Sequence, residues 1–316
     1  MGAVPLYLKS HSRGEYVFDQ GWAQAYAQHR LPYYPKLLAA IPFTPVSGPR
    51  LLAATPELKR QLALALTQLA RQQNIASLHV LFPDEADQQA LIDAGFMLRS
   101  NVQFHWYNHN YPCFESFLSK LTRDKRKKLR QDSRKVHTAG ISFRHLNGTQ
   151  ICAADIEFFY TCYAQTYLSR GQTPYLSLEF FQRWFASDPQ AWVLIIADRD
   201  ADSLASALCI KDQDKLYGRY WGCLEYVAGL HFETCYTQAI HYCIAHRIQQ
   251  FEGGAQGEHK LARGLLPVNT YSAHWIADPQ FEAAIQDFLD RETPAVQEYS
   301  ELLQAHSPYK QPLDEQ

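Results

Sequence analysis

The residues best suited to chemistry lie in one stretch, Phe251-Glu-Gly-Gly-Ala-Gln-Gly-Glu-His-Lys260, continued by Leu261-Ala-Arg-Gly264. Its first ten residues hold three glycines, two carboxylates (Glu252 and Glu258), the Gln256 amide, the His259 imidazole and the Lys260 ammonium. Carboxylate and imidazole can move a proton, and ammonium or guanidinium can hold negative charge. The glycines let backbone approach a ligand closely or adopt positive φ. Such groups on a loop held between rigid elements form the usual layout of a site. The simpler alternative is a solvated loop.

The flanking elements must position this loop. Leu230–Arg247 reads as a helix, 248–252 as a short strand, and Thr270–Ile276 alternates like a strand. Tyr217-Gly-Arg-Tyr-Trp-Gly222 reads as a central strand, where alternation sends Tyr217, Arg219 and Trp221 to one face. Arg219 needs a partner there, either Glu252 or an anionic ligand. Upstream, 141–146 reads as a strand and 154–167 and 178–185 as helices. Segments 192–197, 204–211 and 216–221 form an antiparallel meander. If two strands after such a meander splay, their free backbone groups can bind the amide-rich arm of a cofactor, and the next helix N-terminus can receive its phosphates. The turns 44–50 and 225–230 hold that place but lack successive glycines, so plain turns are the simpler reading.

The first part of the chain has a similar order. Segments 4–9, 16–18, 37–43, 78–82 and 102–107 read as strands, and 22–29, 55–73 and 85–94 as helices. Thr55-Pro56-Glu57 is a strong helix start. Between the two parts, 114–138 reads as one helical segment. Nine cations between Lys120 and Lys135, among them Lys125, Arg126, Lys127 and Lys128, face only Asp124 and Asp132. That surplus fits a phosphate-bearing partner as well as a solvated linker or an oligomer contact. A closing helix is expected over 287–300 and a disordered tail from Pro308. The expected division is a first domain over 1–110, a basic connector over 111–140, a second domain over 141–307 and a flexible tail over 308–316.

Composition narrows the function. With 316 residues, 47% of them hydrophobic and 20% charged, the chain can bury a sizeable core. A net charge of −2 excludes a global pull toward polyanions. Seven cysteines without a Cys-x-x-Cys pair point to a reducing cytoplasm rather than a disulfide framework or a zinc site. His241 and His246 are five apart and do not form a metal-binding helical pair, so no metal is expected. There is no membrane-spanning apolar run, no signal peptide and no myristoylation match. Gly-x-Ser-x-Gly, Walker and Gly-x-Gly-x-x-Gly motifs are absent, which argues against hydrolase, nucleotidase and dehydrogenase chemistry.

Several runs carry a resemblance: Tyr-Leu-Lys-Ser-His-Ser at 7–12, Gly-Glu-Tyr-Val-Phe-Asp at 14–19, Tyr-Tyr-Pro-Lys-Leu at 33–37 and Pro-Phe-Thr-Pro at 42–45 running into Gly-Pro-Arg-Leu at 48–51. To these add Tyr217–Gly222, Leu-His-Phe-Glu at 230–233, Phe251–Lys260 and Tyr-Ser-Ala-His-Trp-Ile at 271–276. Together they resemble the bacterial FemAB-like group of the GNAT acyltransferase superfamily, associated with peptidoglycan biosynthesis or recognition. The resemblance implies an α+β fold of tandem GNAT-like domains, each a mostly antiparallel sheet flanked by helices. Members usually start earlier, so the first domain is expected to lack its opening segment. The family's true ligases take aminoacyl-tRNA as donor and a nucleotide- or lipid-linked muropeptide as acceptor. Their basic helical segment is matched by 120–135, and a lysine near the last strands by Lys260.

The resulting expectation is an N-acyltransferase in which an amine attacks an activated ester or thioester. The donor is acyl-CoA or aminoacyl-tRNA, and the acceptor a small molecule or muropeptide. Glu252 or Glu258 would act as base or hold the acceptor. Lys260 and Arg219 would stabilise negative charge, and His259, Tyr271 and His274 would transfer protons. Trp221, Gln256, Arg263, His274, Lys9, His11 and Arg50 are further substrate-binding candidates, and Lys125–Lys128 the contact to phosphate or tRNA. The alternative is a non-catalytic GNAT-like module that recognises muropeptide, nucleotide or RNA.

Overall fold

The computed structural model describes residues 1–255 and 257–310. In chain order the elements are strands β1 (Gly2–Ala3) and β2 (Tyr7–Lys9), helix α1 (Gln20–Gln28), β3 (Lys36–Ala39), β4 (Leu52–Ala53), α2 (Pro56–Gln72), β5 (Ser77–Leu81), α3 (Glu85–Asp93) and β6 (Met97–Tyr107). There follow α4 (Phe114–Lys120), α5 (Arg123–Thr138), β7 (Ile141–Asn147), α6 (Ala153–Leu168), α7 (Leu178–Ser187), β8 (Trp192–Arg199), β9 (Asp202–Lys211) and β10 (Lys215–Cys223). The chain continues through α8 (Leu230–Phe232), a π turn (Glu233–Thr237), α9 (Gln238–His246), β11 (Gln250–Glu252), a 3₁₀ turn (Glu258–Arg263), β12 (Leu266–Ile276) and α10 (Pro279–Ala305).

Contacts divide the described residues into two compact units, one of residues 1–103 with 268–302 and one of 104–267 with 303–310. This differs from the boundaries expected from sequence order: the last strand and most of the last helix belong with the first unit. The reason is pairing. In that unit the sheet order is β2-β3-β5-β12-β6, and β12 lies antiparallel to β5 with His274 opposite His79. Helices α2 and α3 cover one face, where Ala63, Leu66, Ala70 and Leu91 meet Leu37, Leu78, Val80 and Trp275. Helix α2 begins as its sequence dictates, with the Thr55 hydroxyl accepting from Leu58 N–H at 3.3 Å and Pro56 in the first turn.

The second unit has the order β6-β11-β10-β9-β8-β7. Every neighbouring pair is antiparallel except β10 with β11. Its aromatic core joins Phe159, Tyr163, Phe181 and Trp192 to Leu194, Ile196 and Leu208. Strand β10 approaches α6 so closely that a Cβ on Gly222 would lie 1.8 Å from the Cys162 carbonyl oxygen.

Local differences from the sequence reading have identifiable causes. No strand forms over 16–18, because Gly14 and Tyr16 take left-handed φ of 80° and 58°. The basic segment is two helices, not one. Leu121 and Thr122 are extended, with Leu121 wholly buried and bridged to Tyr309. Thr122 N–H donates to Pro308 O at 2.8 Å and Lys310 N–H to Lys120 O at 3.0 Å. Residues 308–310 are therefore fixed by pairing rather than forming a disordered tail, and 311–316 lie outside the described residues. The closing helix begins earlier than expected, at Pro279.

The close β10–α6 contact yields a paired prediction. Gly222→Ala should destabilise the protein by about 1–3 kcal/mol or more. Gly21→Ala in α1, where a Cβ meets nothing within 4 Å, should stabilise it by roughly 0.5–1 kcal/mol. Urea unfolding of the two variants checks both signs.

Candidate functional site

Three neighbouring strands of the second unit carry the same short pattern. His105-Trp-Tyr107, Gln250-Phe-Glu252 and Lys215-Leu-Tyr217 each place a polar residue on either side of an apolar one. Register aligns them, with Glu252 opposite His105 on β6 and Tyr217 on β10, and Gln250 opposite Tyr107 and Lys215. Cross-strand partners share a face. Trp106, Phe251 and Leu216 are accordingly fully buried on one side, and the polar six lie together on the other.

Glu252 is the centre of this face. It is 4% exposed. Its Oε1 accepts from Gln250 Nε2 at 3.1 Å and lies 3.7 Å from Lys215 Nζ. Its Oε2 has no hydrogen-bond partner among the described residues and sits 3.8 Å from His105 Nε2. Burial pushes the Glu252 carboxyl up to about 7, against the pull of Lys215. Burial, reinforced by the Lys215 and Lys260 charges, holds His105 down to about 3, so its ring is neutral at pH 7. Gln250 Nε2 also donates to His105 Nδ1 at 2.9 Å, which puts the ring proton on Nε2, toward Glu252.

Beyond Glu252 the strands separate. Parallel pairing between β10 and β11 ends at Tyr217 and Glu252, although β10 runs on to Cys223. The antiparallel ladder to β9 slips immediately afterwards, between Gly218 and Tyr220, so Arg219 is the extra residue of a β-bulge. This breaks the expected alternation. Tyr217 and Tyr220 stand opposite Ile210 and Leu208, while Trp221 stands opposite Ala207 on the other face. Tyr217 and Trp221 therefore do not share a face. The Arg219 guanidinium lies 5.3 Å from the Tyr220 ring centre.

The loop after β11 folds over Lys260. Its ammonium is buried and donates to the Gly254 carbonyl at 2.7 Å, and burial draws its pKa down to about 8. A Cβ on Gly253 would meet the Leu265 side chain at 2.9 Å, so a larger residue here requires that side chain to shift. His259 is exposed, and its Nε2 lies 3.1 Å from the Tyr236 hydroxyl on the π turn. Burial and the neighbouring Arg263 and Lys260 charges lower its pKa. Arg263 donates to His259 O at 2.5 Å and stacks on Phe232 at 3.7 Å. Trp221 packs on His231. Glu258 is exposed at the start of the 3₁₀ turn. Gln256 lies outside the described residues.

The remaining expected residues fall elsewhere. Tyr271 and His274 belong to the first unit. His274 is wholly buried, with Nδ1 2.7 Å from His79 Nδ1 and Nε2 2.8 Å from the Ser272 hydroxyl. Burial holds it down to about 3, so it is a neutral member of a core network rather than a ligand contact. Tyr271 is half-buried, and its carbonyl accepts from Phe82 N–H. Arg50 is also buried, with its guanidinium donating to the carbonyls of Val46, Pro49 and Leu81. Those bonds withhold it from a substrate. Lys9 and His11 lie beside a cavity of the first unit. On α5, Lys127 and Lys128 are exposed and Lys125 and Arg126 half-buried, while Leu129 and Val136 anchor the helix. The reading from sequence missed His105, Gln250, Lys215 and Tyr236. The repeated polar–apolar–polar triplet was the available signal for the first three.

Among the described residues no group of three or more His, Cys, Asp or Glu can hold a metal, and no helix is long and apolar enough to cross a membrane. The fold is mixed α+β, with two units of mostly antiparallel sheet flanked by helices. The sequence matches the FemAB-like family, described as peptidoglycan biosynthesis/recognition, over residues 1–311, and the chain belongs to that family. No curated protein matches it. Among solved structures it is similar to L-PGS from Bacillus licheniformis, with 9% identity, a TM-score of 0.56, and coverage of 80% of this chain and 82% of that one. The C-terminal domain of a putative lysylphosphatidylglycerol synthetase from Agrobacterium fabrum gives 10%, 0.55, 80% and 82%. FemX gives 10%, 0.52, 79% and 86%. At these identities the likeness is one of fold.

Glu252 makes stability depend on pH with a definite sign. Its folded pKa lies above the unfolded value of 4.5, so its contribution is fully present below 4.5 and is lost as pH rises through about 7. Glu252→Gln, neutral throughout, should match the wild type at pH 4 and exceed its stability by about 3 kcal/mol at pH 8. Denaturant titrations across that range measure the difference.

Proposed function

We propose that the protein is an N-acyltransferase that moves an acyl or aminoacyl group from an activated ester or thioester to an amine, in peptidoglycan-related metabolism. The observation that carries this reading is Glu252: a buried carboxyl near pH 7 with one oxygen unclaimed by the described protein, placed where β10 and β11 separate. Backbone groups of β10 beyond Tyr217 are free of β11 and can pair with the amide-rich arm of a donor. The acceptor amine gives its proton to Glu252 Oε2 and attacks the donor carbonyl. Negative charge on the tetrahedral oxygen is met by Arg219 or Lys260. As the carbon–oxygen or carbon–sulfur bond breaks, the His259–Tyr236 pair supplies the leaving group's proton. Membership of the FemAB-like family supports the peptidoglycan setting. A fold shared with FemX and L-PGS fits a transferase.

The donor is acyl-CoA or aminoacyl-tRNA, and the acceptor a small amine or muropeptide, with the reaction in the cytoplasm. If the donor is tRNA, Lys125, Arg126, Lys127 and Lys128 are its phosphate contacts. One observation favours a non-catalytic recognition module instead: the Lys260 ammonium is engaged by the Gly254 carbonyl rather than open to a reacting atom.

Turnover with a panel of acyl-CoA and aminoacyl-tRNA donors decides between them. The transferase reading expects a rate that rises with pH to a plateau, with an apparent pKa near 7. Glu252→Gln should lower it about 10²–10⁴-fold and remove that limb. Wild-type activity in Glu252→Gln would exclude the base, and unchanged activity in Lys260→Ala would remove Lys260 from the chemistry. Binding of a muropeptide without turnover of any donor would favour recognition. For a tRNA donor, affinity should fall steeply with salt, and less steeply after charge removal at Lys127 and Lys128.

A further inference from the structure

The second unit holds a cavity of about 670 Å³ between α4, α5 and α9. It is separate from the chemistry assigned above. Trp106, on the side of the sheet away from Glu252, packs edge-on against Phe117 of α4 with ring centres 5.8 Å apart. The cavity therefore lies behind the sheet as seen from Glu252. Its floor is apolar, formed by Phe114 and Leu118 of α4 and Leu129 of α5. On α9 the His241 ring stacks on Phe114 with centres 3.8 Å apart. Burial holds His241 down to about 4, so at pH 7 it is a neutral, flat wall.

The α5 side of the cavity is cationic. Arg130, Ser133, Arg134 and His137 line it, and their i, i+3, i+4, i+7 spacing puts them on one face of the helix. Between Lys120 and Lys135 nine cations face two acids, so pairing along the helix cannot neutralise it. Arg134 is exposed and makes no hydrogen bond or ion pair among the described residues. Glu115 is the one carboxylate among the described lining residues, and it pairs with Arg130. Both of those side chains are half exposed or more, where an ion pair is weak and exchangeable. Glu233 is held behind the lining, its Oε1 accepting from Ser133 Oγ at 3.2 Å and Gln238 Nε2 at 2.9 Å. Charge complementarity thus selects an anion, and the apolar floor selects one that carries a chain.

We propose that this cavity binds a single-chain anionic amphiphile of the fatty-acid type, taken up from solution. The carboxylate pairs with Arg134 and competes with Glu115 for Arg130, while the chain lies over Phe114, Leu118 and Leu129. The volume suits a chain on the order of ten carbons. The site is distinct from the Lys125–Lys128 run, which is not among the described lining residues. The assignment goes beyond the transfer reaction and does not depend on it, because binding is read without turnover.

Cys113 at the edge of the cavity is exposed and gives a local readout. Cys152 is also exposed, so the test uses the full chain carrying Cys152→Ser. This protein is titrated with decanoate, decanol and acetate, followed by calorimetry and by the rate of Cys113 alkylation. Decanoate should bind saturably and slow the alkylation at least tenfold, and decanol and acetate should bind at least tenfold more weakly. Arg134→Ala should weaken decanoate about tenfold and leave decanol unchanged. Lys135→Ala, on another face of α5, should change neither, and phosphatidylglycerol vesicles should not protect Cys113. Equal affinity for decanoate and decanol, or equal loss in the two variants, would overturn the proposal. So would decanoate binding without protection of Cys113, protection by vesicles but not by decanoate, or no saturation by about 1 mM.

Discussion

The divergence of β10 from β11 after Tyr217 and Glu252 is the constraint on which the rest of the second unit depends. Up to that point the two strands are paired, and the row His105, Glu252, Tyr217 is held by three backbones at once. Past it, β10 carries its own bulge at Arg219 and β11 ends in a glycine loop. A carboxylate at the end of a short strand, flanked by a neutral imidazole, an amide and a more distant ammonium, is desolvated without being neutralised. Its raised pKa follows from position more than from any single neighbour.

The same physics explains why two buried ionic groups in this unit behave differently. Lys260 lies under its own loop, where the Gly254 carbonyl accepts a hydrogen bond from its ammonium and burial lowers its pKa. Glu252 keeps an unsatisfied oxygen instead. One arrangement closes a loop and the other leaves a carboxylate oxygen without a hydrogen bond among the described residues. In the first unit, His79 and His274 hydrogen-bond each other and the Ser77 and Ser272 hydroxyls inside the core. That network is satisfied and serves packing.

Much of this was legible in the sequence. The loop Phe251–Lys260, the strand 217–222 and the α2 cap follow from residue types and spacing, and the α+β class from the family resemblance that the long motifs carry. Other features could not be read. Alternation placed Tyr217 and Trp221 on one face, and a single bulged residue moved them apart, because a one-residue slip inverts every side chain beyond it. His105 was invisible as a site residue, since its partner Glu252 is 147 positions away and only register brings them together. Arg50 and His274 looked like ligand contacts by type, whereas burial and carbonyl or imidazole partners assign them to structure. The break at Leu121 depends on pairing with Tyr309, which no local signal reports.

The central claim is that Glu252, and not a histidine, is the group that changes charge near neutral pH at this site. Carbon-13 NMR of the Glu252 carboxyl, assigned by difference from Glu252→Gln and followed from pH 4 to 9, tests it directly. The account predicts a single titration with a midpoint near 7, while the His105 ring stays neutral throughout. A Glu252 midpoint near 4.5 with His105 titrating near 6.5 would contradict it, because both groups would then behave as solvated side chains.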